Sequence, residues 1–231
     1  MTHQETVTAV LVHAAWFDGS SWAKVIGALK ERGIDSAAVQ LPLTSLSDDA
    51  AAVGVVVERA PGPVVLVGHS YGGAAATAAG AGNPKVKALV YVAAIVPDEG
   101  ETVGAVFRRA PPHPEAPRLV PDAAGLLWVD ENAFAKAIAP DATPAQATLL
   151  AAVQKPISVK CLDEPMGKPA WRERPTYFLV AENDRMVAAD TQRFLAQRMK
   201  SKTAALPVDH TPLLGAYRAI VDLIVEAAQG A

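Results

Sequence analysis

The chain has 231 residues, of which 51% are hydrophobic, so it can bury the core of one α/β domain. Its 21 lysines and arginines against 24 aspartates and glutamates give a formal net charge of −3, and the absence of a dense basic run argues against a nucleic-acid partner. Glycine, proline or charge interrupts every apolar run before it could span a membrane, and the single cysteine, Cys161, excludes an intramolecular disulfide and a cysteine metal cluster.

The first strand follows directly on a polar segment. Residues 1–5 contain no basic stretch leading into a separate apolar core, so we expect no secretory signal and a cytoplasmic location. Residues 7–12 form an apolar run that predicts a buried parallel strand. Helical spacing of apolar residues predicts a helix over 22–32, with Ser20 and Ser21 as candidate N-caps.

Strands and helices continue to alternate along the chain. A strand over 34–39 precedes a helix that begins at Ser45 and runs to about Arg59, where Ser45 and Asp48 have the spacing of a capping box. Further strands are predicted over 64–67, 86–93, 176–181 and 202–206, and further helices over 71–81, 188–199 and 213–228. This order predicts an α/β fold with a mostly parallel sheet and helices on both faces.

Residues 97–169 interrupt the alternation. Prolines are frequent there, and only 134–138 and 145–153 have a helical pattern. A disordered linker is the alternative, but several large apolar side chains argue against it: Phe107, Leu119, Leu126, Leu127, Trp128 and Phe134. We therefore predict a cap over 97–169, inserted into a core formed by 1–96 and 170–231.

The strongest functional motif occupies residues 68–72, which read Gly-His-Ser-Tyr-Gly between a predicted buried strand and a predicted helix. A G-x-S-x-G sequence in this context is typical of a nucleophile elbow. The flanking glycines suit a strained turn in which side chains would collide with the neighbouring strand and helix. The motif therefore predicts Ser70 as a nucleophile held at a helix N-terminus, where backbone N–H groups stabilise negative charge.

A serine hydroxyl needs a base within hydrogen-bonding distance and a third group that orients the base. His210 lies beyond the last predicted strand and just before the closing helix, in the position expected for a base in the order serine, acid, histidine. The alternative, His113, lies among prolines at the start of the insertion, where a fixed base is difficult to build. We predict His210 as the base.

Three carboxylates compete for the role of the acid. Asp184 lies in the turn after the strand 176–181, at the sheet edge where Ser70 is expected. Glu182 comes directly off that strand and is interpreted as a loop tether, and Asp209 beside the histidine as a loop or capping residue. We predict Asp184 as the acid.

The tetrahedral intermediate of acyl transfer needs two N–H donors, each worth roughly 3 kcal/mol. We expect one from Tyr71, which follows the nucleophile, and the other from the loop 13–17 after the first strand.

These motifs together resemble those of α/β-hydrolases. Residues 11–16 (Leu-Val-His-Ala-Ala-Trp), the elbow, the Asp184 turn and the pair at 209–210 are most similar to the small-lid branch that holds plant methylesterases, plant hydroxynitrile lyases and bacterial esterase-like proteins. The resemblance implies an inserted cap, no cofactor, and hydrolysis of a small-molecule ester. It also implies Ala15 as the second oxyanion donor. Ala14 departs from the family, which usually has glycine there.

Two other functions stay open. The lyases that the chain resembles carry a lysine after the catalytic histidine and a threonine after the first-strand histidine, where this sequence has Thr211 and Ala14. A receptor or binding protein can also keep a hydrolase fold. For substrate binding, we predict Ala14, Trp16 and Trp128, although the aromatic side chains could equally pack the cap on the core.

Overall fold

The computed structural model describes residues 6–230, and its centre is a parallel sheet. The strands are β1 (Thr8–Val12), β2 (Asp35–Ala38), β3 (Val64–His69), β4 (Val86–Val92), β5 (Leu126–Leu127), β6 (Ile157–Ser158), β7 (Thr176–Ala181) and β8 (Lys202–Leu206). Six of them pair in parallel in the order β2-β1-β3-β4-β7-β8, and β5 and β6 form a separate antiparallel pair. The predicted α/β architecture is confirmed.

Helices cover both faces of this sheet. They are α1 (Ala23–Glu31), α2 (Leu46–Arg59), α3 (Gly72–Gly80), α4 (Val103–Phe107), α5 (Glu131–Ala133), α6 (Pro144–Ala152), α7 (Lys160–Asp163), α8 (Ala189–Arg198), α9 (Pro212–Gly215) and α10 (Tyr217–Gln229). Because side chains alternate along a strand, Val64 and Leu66 of β3 pack in one core with α2, α3 and α8, whereas Val65 and Val67 pack in the other with α1 and α10.

Two predicted helix boundaries were wrong. Ser20 and Ser21 do not cap α1; instead, the Asp18 carboxylate accepts the Ser20 N–H and starts a 3₁₀ turn that precedes the helix. The predicted closing helix is divided into α9 and α10 at Ala216, whose backbone (φ −103°, ψ 20°) is not α-helical. By contrast, the Ser45 hydroxyl accepts the Asp48 N–H at 3.0 Å, as expected for the start of α2.

The chain between β4 and β7 contains α4 to α7, the β5–β6 pair and a π-helical turn at Phe134–Ile138. The helices expected over 134–138 and 145–153 correspond to that turn and to α6. The division into a core and a cap stays a prediction. Among residues 6–230, no helix is both long enough and apolar enough to cross a membrane. The predicted absence of a secretory signal concerns residues 1–5, which lie outside the described residues.

Candidate active site

Ser70 lies in a tight turn between β3 and α3, with a left-handed backbone (φ 53°) that costs a non-glycine residue free energy. A Cβ atom on Gly68 would lie 2.6 Å from the Gly73 Cα, and one on Gly72 would lie 2.5 Å from the carbonyl oxygens of Val12 and His13. Only glycine fits at these two positions. The sequence therefore fixes a turn that presents the serine hydroxyl at the start of α3.

The turn brings Ser70 together with the predicted base and acid. His210 Nε2 lies 2.9 Å from Ser70 Oγ, and His210 Nδ1 lies 2.7 Å from Asp184 Oδ2. All three side chains are buried. With Nδ1–H donating to the carboxylate, Nε2 can accept the serine proton, which is the arrangement that activates a serine nucleophile. Residues 140 positions apart meet here because parallel strands end at the same edge of the sheet.

The Asp184 carboxylate is held by four donors. Oδ1 accepts the N–H groups of Met186 (2.7 Å) and Val187 (2.9 Å), and Oδ2 accepts from His210 and from Gln192 Nε2 at 2.8 Å. Gln192, on α8, is fully buried, and its Oε1 also accepts the N–H of Ala181. Sequence reasoning did not assign a role to Gln192, although it is a polar side chain on the buried face of an amphipathic helix.

The competing residues lie elsewhere. Glu182 forms an ion pair with Arg193 on α8. Both Asp209 oxygens are occupied, Oδ1 by the N–H and hydroxyl of Thr211 and Oδ2 by the N–H of Asp141. His113 is exposed, and its Nδ1 accepts a backbone N–H from Glu115. None of the three side chains forms a hydrogen bond or an ion pair with the side chain of Ser70 or His210.

A second buried histidine, His69, holds the backbone of the predicted base. His69 Nε2–H donates to the carbonyl oxygen of His210 at 2.7 Å, and the two rings lie 5.2 Å apart. Burial lowers the pKa of His69 to about 3, so its ring is neutral at physiological pH. His69 therefore positions the His210 backbone without placing a cation beside the base. In the sequence, His69 is recognisable only as the variable residue before the serine of the G-x-S-x-G motif.

The two predicted oxyanion donors face the same cavity as Ser70. Ala15 and Tyr71 both line it, and neither backbone N–H donates to another atom of the described chain. The loop that carries Ala15 is held by His13, whose Nδ1–H donates to the Ala14 carbonyl (2.8 Å) and whose Nε2 accepts the Leu41 N–H (3.0 Å). Burial lowers the pKa of His13 to about 4, which keeps the ring neutral for this pair of bonds.

The Tyr71 side chain is anchored to a buried carboxylate of α2. Its hydroxyl donates to Asp49 Oδ2 at 2.5 Å, and the Leu43 N–H donates to Asp49 Oδ1 at 2.7 Å. The Cys161 thiol, on α7, lies 3.6 Å from the same Oδ2. Burial raises the pKa of Asp49 above its usual value. Three separate parts of the chain therefore meet at one carboxylate below the elbow.

The cavity above Ser70 is small and mostly apolar, with a volume of about 40 Å³. Trp16 lines it, held by an indole N–H bond to the Leu127 carbonyl (3.0 Å), but Ala14 does not. Trp128 does not line this cavity either: it is 49% exposed, and its indole N–H donates to Asp122. The substrate-binding roles of Ala14, Trp16 and Trp128 stay predictions. No group of three or more histidine, cysteine or acidic side chains within residues 6–230 is placed to hold a metal ion.

The model of the alpha/beta hydrolase family matches residues 9–223. A carbendazim-hydrolyzing esterase from Nocardioides sp. (strain SG-4G) is 32% identical over 120 residues, or 45% of this chain, and the match spans about half (48%) of that relative.

Two solved structures share the fold over nearly the whole chain. A pyrethroid hydrolase from Sphingobium faniae JZ-2 is 22% identical with a TM-score of 0.83, covering 97% of this chain and 98% of that one. A methylesterase from Arabidopsis is 16% identical with a TM-score of 0.75, covering 98% and 100%. The chain belongs to the alpha/beta hydrolase family.

Proposed function

We propose that the protein is an esterase that hydrolyses small-molecule carboxylic esters through an acyl intermediate on Ser70. The observation that carries this proposal is the chain of contacts from Ser70 Oγ to His210 Nε2 (2.9 Å) and from His210 Nδ1 to Asp184 Oδ2 (2.7 Å). The names of the similar proteins, which include an esterase and a methylesterase, support the same reaction class.

In the first step, Ser70 Oγ attacks the ester carbonyl carbon while His210 Nε2 accepts the serine proton. Asp184 stabilises the imidazolium that forms. The carbonyl oxygen becomes an oxyanion, which the N–H groups of Ala15 and Tyr71 stabilise. When the intermediate collapses, the bond to the alcohol oxygen breaks, and His210 returns the proton to the departing alcohol.

In the second step, a water molecule attacks the acyl-serine, and His210 accepts its proton. The same two N–H donors stabilise the second oxyanion. On its collapse the bond from the acyl carbon to Ser70 Oγ breaks, His210 returns the proton to Oγ, and the carboxylic acid is released. The apolar lining of the cavity strengthens these interactions because it lowers the local dielectric constant. We include residues 97–169 in this proposal as a cap on the core formed by 1–96 and 170–231, because Val103, Phe107 and Ile157 of this segment line the cavity.

The neighbourhood of His210 favours hydrolysis over a hydroxynitrile lyase reaction. Thr211, where the lyases that the sequence resembles carry lysine, is buried, and its hydroxyl donates to Asp209 at 2.8 Å. No ammonium group stands at this position to stabilise departing cyanide. A receptor that keeps the fold does not need a complete chain of contacts from Ser70 to Asp184, so the presence of that chain ranks the receptor below the esterase.

The test combines active-site labelling with a substrate panel. A fluorophosphonate should label the wild type at Ser70 stoichiometrically, and short p-nitrophenyl and methyl esters should be hydrolysed with steady turnover. A cyanohydrin should be cleaved no faster than its uncatalysed background. Labelling without turnover of any ester would favour the receptor, and cyanohydrin cleavage without ester hydrolysis would refute the esterase.

A further inference from the structure

A second and larger cavity adjoins the one above Ser70. Its volume is about 700 Å³, and it lies between the segment from Phe107 to His113 and the segment from Asp184 to Ala189. Phe107 and Met186 line both cavities, so the two spaces are neighbours. A substrate with its ester carbonyl at Ser70 would therefore reach the larger cavity by extending past these two side chains.

The larger cavity is cationic. Arg108, Arg109 and Arg185 line it, and none of the three forms an ion pair with a carboxylate anywhere in residues 6–230. The one carboxylate in its lining, Asp184, already accepts four hydrogen bonds, one of them from His210. Three arginines therefore line a space whose one carboxylate is already engaged. The Arg108 guanidinium lies against α4, since a Cβ atom on Gly104 would lie 3.0 Å from Arg108 Nη1, so Arg109 and Arg185 are the two that the proposal uses.

Other arginines in the fold do have carboxylate partners. Arg32 contacts Asp222, and arginines at 172, 193 and 198 contact acidic side chains too. Within residues 6–230, arginines at 59, 118, 174 and 218 form no ion pair with a carboxylate either. What distinguishes the three arginines of the larger cavity is that they line one space beside the candidate active site. We name the surface formed by Arg108, Arg109 and Arg185 the arginine groove.

Two of these side chains are held in place by the fold. The Arg109 guanidinium lies 3.4 Å from the centre of the Phe194 ring, and Arg185 donates to the carbonyl oxygen of Lys136 at 2.7 Å. A guanidinium group fixed in this way keeps further N–H donors for a ligand, and its planar arrangement of donors matches a carboxylate. Arginine geometry thus favours a carboxylate group over a neutral polar group.

We propose that the arginine groove binds a carboxylate on the substrate, so that half-esters of dicarboxylic acids are the preferred substrate class. This inference rests on the proposed esterase function, because it needs the ester carbonyl at Ser70. The remote carboxylate then orients the substrate while the ester group reacts, and long-range attraction raises the rate of encounter.

The experiment compares monomethyl esters of succinic, glutaric and adipic acids with the matching methyl esters whose free acid is replaced by a primary amide. Proton release is followed in a pH-stat near neutral pH, where each half-ester is ionised. For at least one chain length, we expect kcat/KM for the half-ester to exceed kcat/KM for the matching amide-bearing methyl ester by about tenfold. The preference should shrink when ionic strength rises from about 0.02 M to about 0.5 M, because salt screens exposed charges.

Variants show whether a preference for half-esters comes from the arginine groove or from the overall charge of the protein. Arg109→Gln combined with Arg185→Gln should bring the ratio of kcat/KM for the half-ester and the matching amide-bearing ester to about one, while Arg109→Lys should keep part of the preference. The matched control Arg32→Gln removes one exposed charge between α1 and α10 and should leave kcat/KM unchanged for both substrate series.

The outcomes distinguish the two proposals. Equal kcat/KM for half-esters and amides, with both reactions abolished by Ser70→Ala, would overturn the arginine groove and leave the esterase standing. A preference that survives the double arginine variant would overturn it as well. No turnover of either series, together with failure of fluorophosphonate labelling, would overturn both.

Discussion

Replacing Gln192 by leucine tests whether the position of the Asp184 carboxylate depends on its hydrogen bond from α8. The substitution removes three hydrogen bonds of a fully buried amide: to Asp184 Oδ2 (2.8 Å), to the Val187 carbonyl (2.7 Å) and from the Ala181 N–H (2.9 Å). Each partner is left buried without its bond, at a cost of about 1–3 kcal/mol. Because leucine recovers part of this through apolar burial, we expect the free energy of unfolding to fall by about 3 kcal/mol.

Activity should fall separately from stability. Asp184 loses one of its four hydrogen-bond donors and is held less firmly against His210. If this reduces the stabilisation of the transition state by about 1.4 kcal/mol, kcat falls about tenfold. The assays are urea unfolding followed by tryptophan fluorescence, and kcat on a methyl ester at a temperature where the variant is folded. The matched control is Gln197→Leu on the exposed face of α8, which should change the free energy of unfolding by less than about 0.5 kcal/mol. Equal stability and kcat for Gln192→Leu and the wild type would refute the reasoning.

The other predictions concern the predicted triad. Ser70→Ala should lower ester hydrolysis by more than about a thousandfold and leave the unfolding curve unchanged, since the members of a triad act as a unit; turnover within tenfold of the wild type would exclude Ser70 as the nucleophile. His210→Ala should be comparably inactive, whereas His113→Ala should keep most activity, as measured side by side on one ester; the opposite order would move the base into the insertion. Asp184→Asn should lower kcat by up to about ten-thousandfold because the carboxylate fixes the imidazole tautomer, and Glu182→Gln should cost far less. The reverse ranking would place the acid at Glu182.

The sequence was sufficient for those parts of the site that depend on chain order. Ser70, Asp184 and His210 each follow a predicted strand, and parallel strands end at a common edge, so position along the chain predicted position in space. The fold was predictable for a similar reason, because hydrophobic period and strand–helix alternation are local properties of the sequence. Even there, helix ends were less predictable, as Asp18 and Ala216 illustrate.

Features that depend on the path of an irregular segment were not predictable. Trp16 and Trp128 are equally aromatic in sequence, yet only Trp16 reaches the cavity, because the route of the insertion leaves Trp128 at the surface beside Asp122. The supporting roles of Gln192 and His69 arise from burial against distant residues, which a sequence pattern does not encode. The arginine groove is of the same kind, since it joins two segments far apart in the chain.

The carboxylate of Asp49 has a consequence for attempts to redesign this protein. It ties the Tyr71 side chain, and with it the N–H that we assign to the oxyanion, to α2, while Cys161 of the insertion approaches the same oxygen. Exchange of residues 97–169 for the corresponding segment of a related protein would remove that thiol and change the solvation of Asp49. Graft designs on this core should therefore supply a new donor to Asp49 Oδ2, or replace Asp49 and Tyr71 together by an apolar pair of similar volume.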